Sequence, residues 1–157
     1  MLSRRSFVGQ AAGLGLALAG GRSLFAAVQG SAADATMTIY MSPTCGCCAK
    51  WVDHVKAAGF KTVVHEETGM DTVKESLGVP HDMRSCHTAQ VDKYLIEGHV
   101  PAEDIRKLLA EKPKAAGLAA PGMPASSPGM AVPGEPHEPY DVLLFQRDGT
   151  SEVFAHR

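Results

Sequence analysis

The pattern of apolar and polar residues predicts strands alternating with helices along the middle of the chain. Residues 37–41 alternate like a strand with one buried face, and residues 45–58 carry apolar side chains at helical spacing until Gly59. A second strand over 61–66 and a short helix over 70–77 follow. The order strand, helix, strand, helix is typical of an α/β domain.

The same pattern continues with smaller elements. Two short alternating stretches, 89–91 and 94–97, predict neighbouring strands, and a helix is expected from residue 101 to residue 111. Pro101 stands at the predicted helix start and two acidic residues follow it, which suits a helix N-terminus.

A change of composition then predicts a long loop. Seven prolines with many glycines and alanines fall within residues 112–139, so we expect neither a helix nor a central strand there. Strands over 140–146 and 151–156 are predicted to form a hairpin, because Asp148-Gly149 between them is a strong turn signal. The loop is therefore an insertion within the domain.

The first 35 residues have the features of an export signal. Arg4 and Arg5 precede an uncharged stretch over 9–21, and small residues at 33–35 form a plausible cleavage site. This pattern predicts the twin-arginine route and a soluble periplasmic protein without stable membrane insertion after cleavage. An uncleaved N-terminal anchor is the alternative reading.

The remaining residues, 36–157, have the size of a single domain. The whole chain has a formal net charge of −2, and no basic face for nucleic acid is indicated. The sequence carries no serine–histidine–aspartate order, phosphate-binding loop or paired-carboxylate signature. Hydrolytic catalysis therefore has no support.

The most informative motif is Cys45-Gly46-Cys47-Cys48, which places three thiols between the first strand and the first helix. Unpaired N–H groups and the helix dipole stabilise thiolates at a helix start. A cysteine pair at this junction, within this order of elements, points to a thioredoxin-like α/β sandwich with a mixed sheet. Cys86 adds a fourth sulfur, which we expect near the helix start.

Three chemistries are open to these thiols. Two structural disulfides are the plain reading of four cysteines in an exported chain, although three clustered cysteines would stiffen little. Thiol–disulfide exchange is the second, with Cys45 attacking and Cys48 resolving, but Cys47 is then superfluous. A sulfur-rich metal site is the third; it suits Cu(I) and is acceptable to Zn(II), which leaves a structural zinc domain possible.

Methionine and histidine residues bear on the choice of metal. Met123 and Met130 lie in the proline-rich segment, where there is little core to fill, and thioether ligands favour Cu(I) over zinc. Their alternative role is to cover apolar surface. His87 directly follows Cys86 and is the histidine that we expect nearest the thiols, whereas His137 ends the loop. The other five histidines are expected to be surface or strand residues.

Taken together, several motifs resemble the CopG-type periplasmic copper-resistance proteins. The motifs are residues 42–48 with Trp51, 78–80, 85–88, 94–101, 117–118, 121–124, 127–130 and 140–145. The resemblance implies a thioredoxin-like fold that binds Cu(I), as more than one ion, and acts in copper resistance beside periplasmic copper oxidases and efflux components. It leaves open whether the protein is an enzyme or a binder.

On the matching positions, the resemblance implies a set of metal ligands with the four thiolates as its surest members. The predicted set is Cys45, Cys47, Cys48, Cys86, His87, Met123 and Met130. Cys45 and Cys48 are the candidates for redox chemistry. The run 131–138 departs from the family pattern and leaves the role of His137 open.

Overall fold

A computed structural model of the protein describes residues 35–157. The predicted export signal, residues 1–35, lies outside the described residues apart from its last position, Ala35. Within residues 35–157, no helix combines the length and the apolar character that a bilayer-spanning helix needs.

Among residues 35–157, seven strands form one mixed sheet, and three helices lie against its two faces. Their order along the chain is β1 Thr36–Met41, α1 Gly46–Ala57, β2 Lys61–Glu66, α2 Met70–Leu77, β3 His87–Val91, β4 Tyr94–Gly98, α3 Ala102–Glu111, β5 Gly117–Ala120, β6 Asp141–Phe145 and β7 Ser151–His156. The strands are arranged in the order β2-β1-β3-β4-β5-β6-β7. Strand β1 is parallel to β2 and antiparallel to β3, which in turn is antiparallel to β4. The predicted thioredoxin-like α/β fold is confirmed.

The sheet separates two apolar cores. One contains β1 side chains with Trp51 of α1 and Ile105 of α3, so these two helices share a face. The other contains Leu95, Met83 and Phe145, with Leu77 of α2 packed against it. Because successive residues of a strand point to opposite faces, this arrangement decides which β4 side chains meet α1 and which meet α2.

Strand β5 is a difference from the sequence-based expectation. Residues 112–139 were predicted to contain no central strand, yet Gly117–Ala120 lies between β4 and β6 in the sheet. These four residues include no proline, so each can take part in the ladder, and all four are buried. At Gly117 a Cβ atom would lie 1.8 Å from the carbonyl oxygen of Leu95, so only glycine fits this close approach of two strands.

The C-terminal hairpin is confirmed. Strands β6 and β7 are antiparallel, with an irregularity after Val142, and Asp148 holds the turn by accepting hydrogen bonds from both the amide and the hydroxyl of Thr150. The proline-rich loop therefore runs from the end of β5 to the start of β6, over residues 121–140. This shorter loop returns across the start of α1, where the thiols lie.

Candidate metal and redox site

Three of the four cysteines are positioned by the start of α1. Cys45 is the residue before the helix, and its carbonyl accepts the first intrahelical hydrogen bond from the amide of Ala49 (3.2 Å). Cys45 and Cys48 are joined by a disulfide with a Cα–Cα distance of 5.3 Å, within the usual range. Cys47 is a free thiol, and its Sγ lies 3.5 Å from that of Cys45.

Cys86 brings the fourth sulfur to the same place from the segment that precedes β3. The sulfur atoms of the four cysteines all lie within 4.8 Å of one another. Cys48 is buried, and the other three are half-buried. The arrangement is therefore a compact sulfur cluster that a small ligand can reach.

Two histidines extend this cluster. His87 and His99, both buried, form a second group of donor atoms with Cys48 and Cys86, again within 4.8 Å of one another. His87 was anticipated near the thiols, and its Nδ1 lies 3.4 Å from the Cys86 Sγ. His99 was expected to be an ordinary surface or strand residue, yet its Nε2 lies only 3.0 Å from the same sulfur.

The register of β3 and β4 explains why His99 reaches Cys86. Thr88 is paired with Glu97 in this antiparallel ladder. Extending the register by two residues beyond the ladder places Cys86 opposite His99. The predicted neighbouring strands, joined through the short turn at Asp92, therefore contained the signal that could have identified His99.

The hydrogen bonding of His99 fixes its tautomer. Its Nδ1 lies 2.7 Å from the carbonyl oxygen of Pro128, which can only accept, so Nδ1 carries the proton. The Nε2 lone pair is then directed at Cys86. A carbonyl partner on one ring nitrogen is the usual way in which proteins orient a metal-binding imidazole.

Burial keeps both imidazoles neutral. It lowers the pKa of His99, against a smaller opposite effect of the Pro128 carbonyl. The pKa of His87 falls well below its ordinary value, first because of burial and then because His99 and Lys74 are near. The Nε2 of His87 is buried and has no hydrogen-bond partner among the described residues. A neutral imidazole with an unpartnered nitrogen fits a metal-binding role.

The surroundings of Cys86 favour the protonated form of its thiol. Burial, followed by the neighbouring Cys47, raises its pKa to about 12. Arg84, which precedes this segment, does not oppose the shift: its guanidinium faces the carboxylates of Asp71 and Glu75 at 3.8 and 3.9 Å. Metal binding at Cys86 must therefore release a proton.

Trp51 forms the apolar floor of the site. The indole is fully buried, and its ring centre lies 4.2 Å from that of His87. Its Nε1–H donates a hydrogen bond of 2.8 Å to the carbonyl of Val100, which adjoins His99 in the chain. The same side chain therefore contacts one histidine and holds the segment that carries the other.

The proline-rich loop packs against the start of α1 and covers the site on that side. Gly129 packs so tightly against α1 that a Cβ atom there would lie 2.9 Å from both the Cys47 carbonyl oxygen and the Trp51 amide nitrogen. Its φ of +88° also favours glycine. Together with the bond between His99 and Pro128, this contact ties the loop to both donor groups.

The predicted methionine ligands occupy different parts of the loop. Met130 directly follows Gly129 and lines a cavity of about 410 Å³ within the loop, together with His137. Met123 lies in a turn with φ of +53° and is 43% exposed. The structure thus brings the four cysteines together and places His87 beside two of them, Cys48 and Cys86, and a ligand role stays a prediction for all seven residues of the predicted set.

The fold and the site define the class of the protein: it is a thioredoxin-like α/β protein with a cysteine cluster that could hold a metal ion. Its central part, residues 83–130, matches a family described as a protein of unknown function, DUF411. No curated protein gives a significant match.

Two solved structures are similar to the chain over most of its length. The copper resistance protein CopG in its form 2 is 43% identical, with a TM-score of 0.73, and the match covers 79% of this chain and 98% of that chain. Form 1 is also 43% identical, with a TM-score of 0.72, and the match covers 78% of this chain and 96% of that one. The chain belongs to the CopG family of copper resistance proteins.

Proposed function

We propose that this protein binds Cu(I) in the periplasm and serves copper resistance. The observation that carries the proposal is the group of four cysteine sulfurs within 4.8 Å of one another. Thiolates are soft ligands that select Cu(I), and a cluster of this density is suited to bridging more than one copper ion. The names of the two similar structures, both copper resistance proteins, support the choice of metal.

We also propose that the adjoining histidines and the loop belong to the copper site. His87 and His99 offer neutral nitrogen donors beside Cys86, and Met130 offers a thioether from the loop. The loop then limits the access of water and competing ligands to the bound ion. Export of the protein by the twin-arginine route, with copper oxidase or efflux components as partners, belongs to the same proposal.

A redox step follows from the Cys45–Cys48 pair, which forms a disulfide in this structure. In the reduced protein, the two thiols can give one electron to each of two Cu(II) ions. The products are two Cu(I) ions, the Cys45–Cys48 disulfide and two protons. An external thiol reductant returns the pair to its reduced form.

The decisive experiment is an anaerobic titration of the reduced protein with Cu(I) against a calibrated chelator. We expect the wild type to retain two or more equivalents and Cys47→Ser to lose retention. His99→Gln should weaken retention, whereas His81→Gln is the matched control, because the His81 side chain is 90% exposed. Negligible retention by the wild type would refute the proposal. In the redox step, protein with blocked cysteines should no longer reduce Cu(II).

Thiol–disulfide exchange without a physiological metal is the second candidate, and the disulfide at a helix start favours it. An exchanger needs only Cys45 and Cys48, so Cys47→Ser should keep its activity towards a disulfide substrate. Loss of copper retention in that variant, with little exchange activity in the wild type, would decide for the copper site.

A further inference from the structure

Behind the thiol cluster, on the face of the sheet covered by α2, lies a buried polar group that the proposed copper chemistry does not use. Lys74 and Glu97 form an ion pair and are 3% and 0% exposed. Thr88 completes the group: its hydroxyl donates to Glu97 Oε2 at 2.6 Å and accepts from Lys74 Nζ at 2.8 Å. A buried ion pair is seldom favourable for stability alone, because both charges lose their hydration.

This polar group is connected to the site through one backbone bond. The Glu97 carboxylate also accepts a hydrogen bond of 2.6 Å from the amide of Ser85, the residue before Cys86. Burial raises the pKa of Glu97, while Lys74, Thr88 and the Ser85 amide each act in the opposite direction. The ion pair with Lys74 and the hydrogen bond from Thr88 therefore hold the carboxylate where the Ser85 amide reaches it.

The adjacent residue of β4 leaves room for this contact. At Gly98 a Cβ atom would lie 2.6 Å from the Oγ and 2.7 Å from the Cβ of Ser85. The glycine lets the segment before β3 lie directly on β4, so that the Ser85 amide reaches Glu97. Cys86 and His99, which are opposite each other two residues beyond the last ladder pair, are thus both held to the end of one strand.

We infer that Glu97, held in place by Lys74 and Thr88, is a positioning residue that fixes the Cys86 sulfur at the metal site through the hydrogen bond that it accepts from the Ser85 amide. This role rests on the proposed copper function but concerns no metal ligand directly. It explains why a buried ion pair stands at this position instead of two apolar residues.

Two charge-neutral double variants separate this role from a general effect on stability. Lys74→Met with Glu97→Gln keeps an acceptor oxygen for the Ser85 amide, whereas Lys74→Met with Glu97→Leu removes it. Both avoid an unpaired buried charge, so both should keep a cooperative urea transition, and the Glu97→Leu variant should be lower only by the hydrogen bonds that Glu97 accepted. The inference requires the two variants to differ at Cys86.

The first measurement needs no copper. In a Cys47→Ser background with the Cys45–Cys48 disulfide intact, Cys86 is the free thiol that remains among the described residues, and its slow alkylation by iodoacetamide is followed by mass spectrometry. We expect a rise of about tenfold in the Glu97→Leu double variant, as for loss of one hydrogen bond, and a nearly unchanged rate in the Glu97→Gln one, which keeps an acceptor oxygen. Equal rates in the two variants would overturn the inference.

The second measurement is Cu(I) retention with Cys47 present. We expect about tenfold weaker retention in the Glu97→Leu double variant alone, again from loss of that bond. Faster alkylation with undiminished retention would overturn the positioning role. No retention by any protein, with the alkylation difference intact, would refute the copper function and leave the anchoring in place.

Amide hydrogen exchange in the wild type tests the inference even if the variants do not fold. Amide exchange at Ser85 should be strongly slowed, because its N–H is bonded to a buried carboxylate. Exchange at the rate of a free peptide would overturn the inference without any substitution.

Discussion

Replacing Gly129 by alanine tests whether the loop closes on the thiol site. The new Cβ would lie 2.9 Å from the carbonyl oxygen of Cys47 and from the amide nitrogen of Trp51, and 3.3 Å from Nδ1 of His99. The first two atoms belong to the backbone of α1 and cannot turn aside. The loop must therefore move away from the helix or strain it.

The magnitude follows from two separate effects. A left-handed φ costs alanine about 1–2 kcal/mol relative to glycine. Overlap with fixed neighbours typically adds about 1–3 kcal/mol. Gly134→Ala is the matched control, because Gly134 lies in the same loop with φ of +92° but has no atom within 4 Å of the added Cβ. We expect Gly129→Ala to lower the free energy of unfolding by about 1–3 kcal/mol more than the control does.

Urea unfolding measures this difference, and thiol chemistry locates it. In the disulfide form, Cys47 should be alkylated faster in Gly129→Ala than in the wild type, because the loop no longer covers the start of α1. Gly134→Ala should leave that rate unchanged. Equal losses of stability together with equal alkylation rates would show that the loop does not rest on the helix in solution.

Three further substitutions test other contacts. His54 accepts a hydrogen bond from the first amide of α3, and burial lowers the pKa of its imidazole from 6.5. The contribution of neutral His54 to folding stability is therefore complete above about pH 6.5 and is lost as the pH falls through the lower pKa of the folded protein. His54→Gln should therefore show a smaller drop in urea midpoint between about pH 7.5 and about pH 5 than the wild type; an equal drop would assign the pH dependence to other groups. Trp51→Phe leaves the buried carbonyl of Val100 without its indole donor and should cost at least about 1–3 kcal/mol in urea unfolding, and an unchanged midpoint would contradict the bond. Gly117→Ala places a Cβ 1.8 Å from the Leu95 carbonyl oxygen and should prevent the native pairing of β5, which a wild-type circular dichroism melt would disprove.

The sequence predicted the position of the thiols because that position depends on local pattern. A buried strand followed by a cysteine-rich helix start can be read from a short window, and the strand-helix order fixes the rest of a thioredoxin-like unit. The parallel pairing of β1 with β2, which are joined through α1, is the pairing expected of such a unit. Strand β5 was not predicted, because it lies between Pro113 and Pro121 in a segment that is rich in proline as a whole. Its own four residues contain no proline and can form a strand.

The position of His99 beside Cys86 was not predicted for a different reason. Its position depends on the register between β3 and β4, and the sequence of one strand alone does not determine that register. Nothing next to His99 in the chain indicates a metal site, whereas His87 stands beside a cysteine. The buried partners of Glu97 were hidden in the same way, since Lys74 looks like a solvent-exposed residue of a short amphipathic helix. The sequence pattern therefore did not predict the roles of His99, Glu97 and Lys74, because these roles depend on contacts between residues that are distant in the chain.

Within the proposed function, the two donor groups explain how one site could serve both oxidation states of copper. The groups share Cys48 and Cys86, so the state of Cys48 alters both of them. With the Cys45–Cys48 disulfide formed, the thiols of Cys47 and Cys86 and the two imidazoles remain, a mixed nitrogen and sulfur set that can accept Cu(II). Reduction of the disulfide adds two thiolates and makes the site rich in sulfur, which favours Cu(I). Electron transfer from the cysteine pair to Cu(II) would leave Cu(I) at a site that has just lost two thiolates, which couples the redox step to release of the ion, and renewed reduction of the disulfide would restore the site for Cu(I).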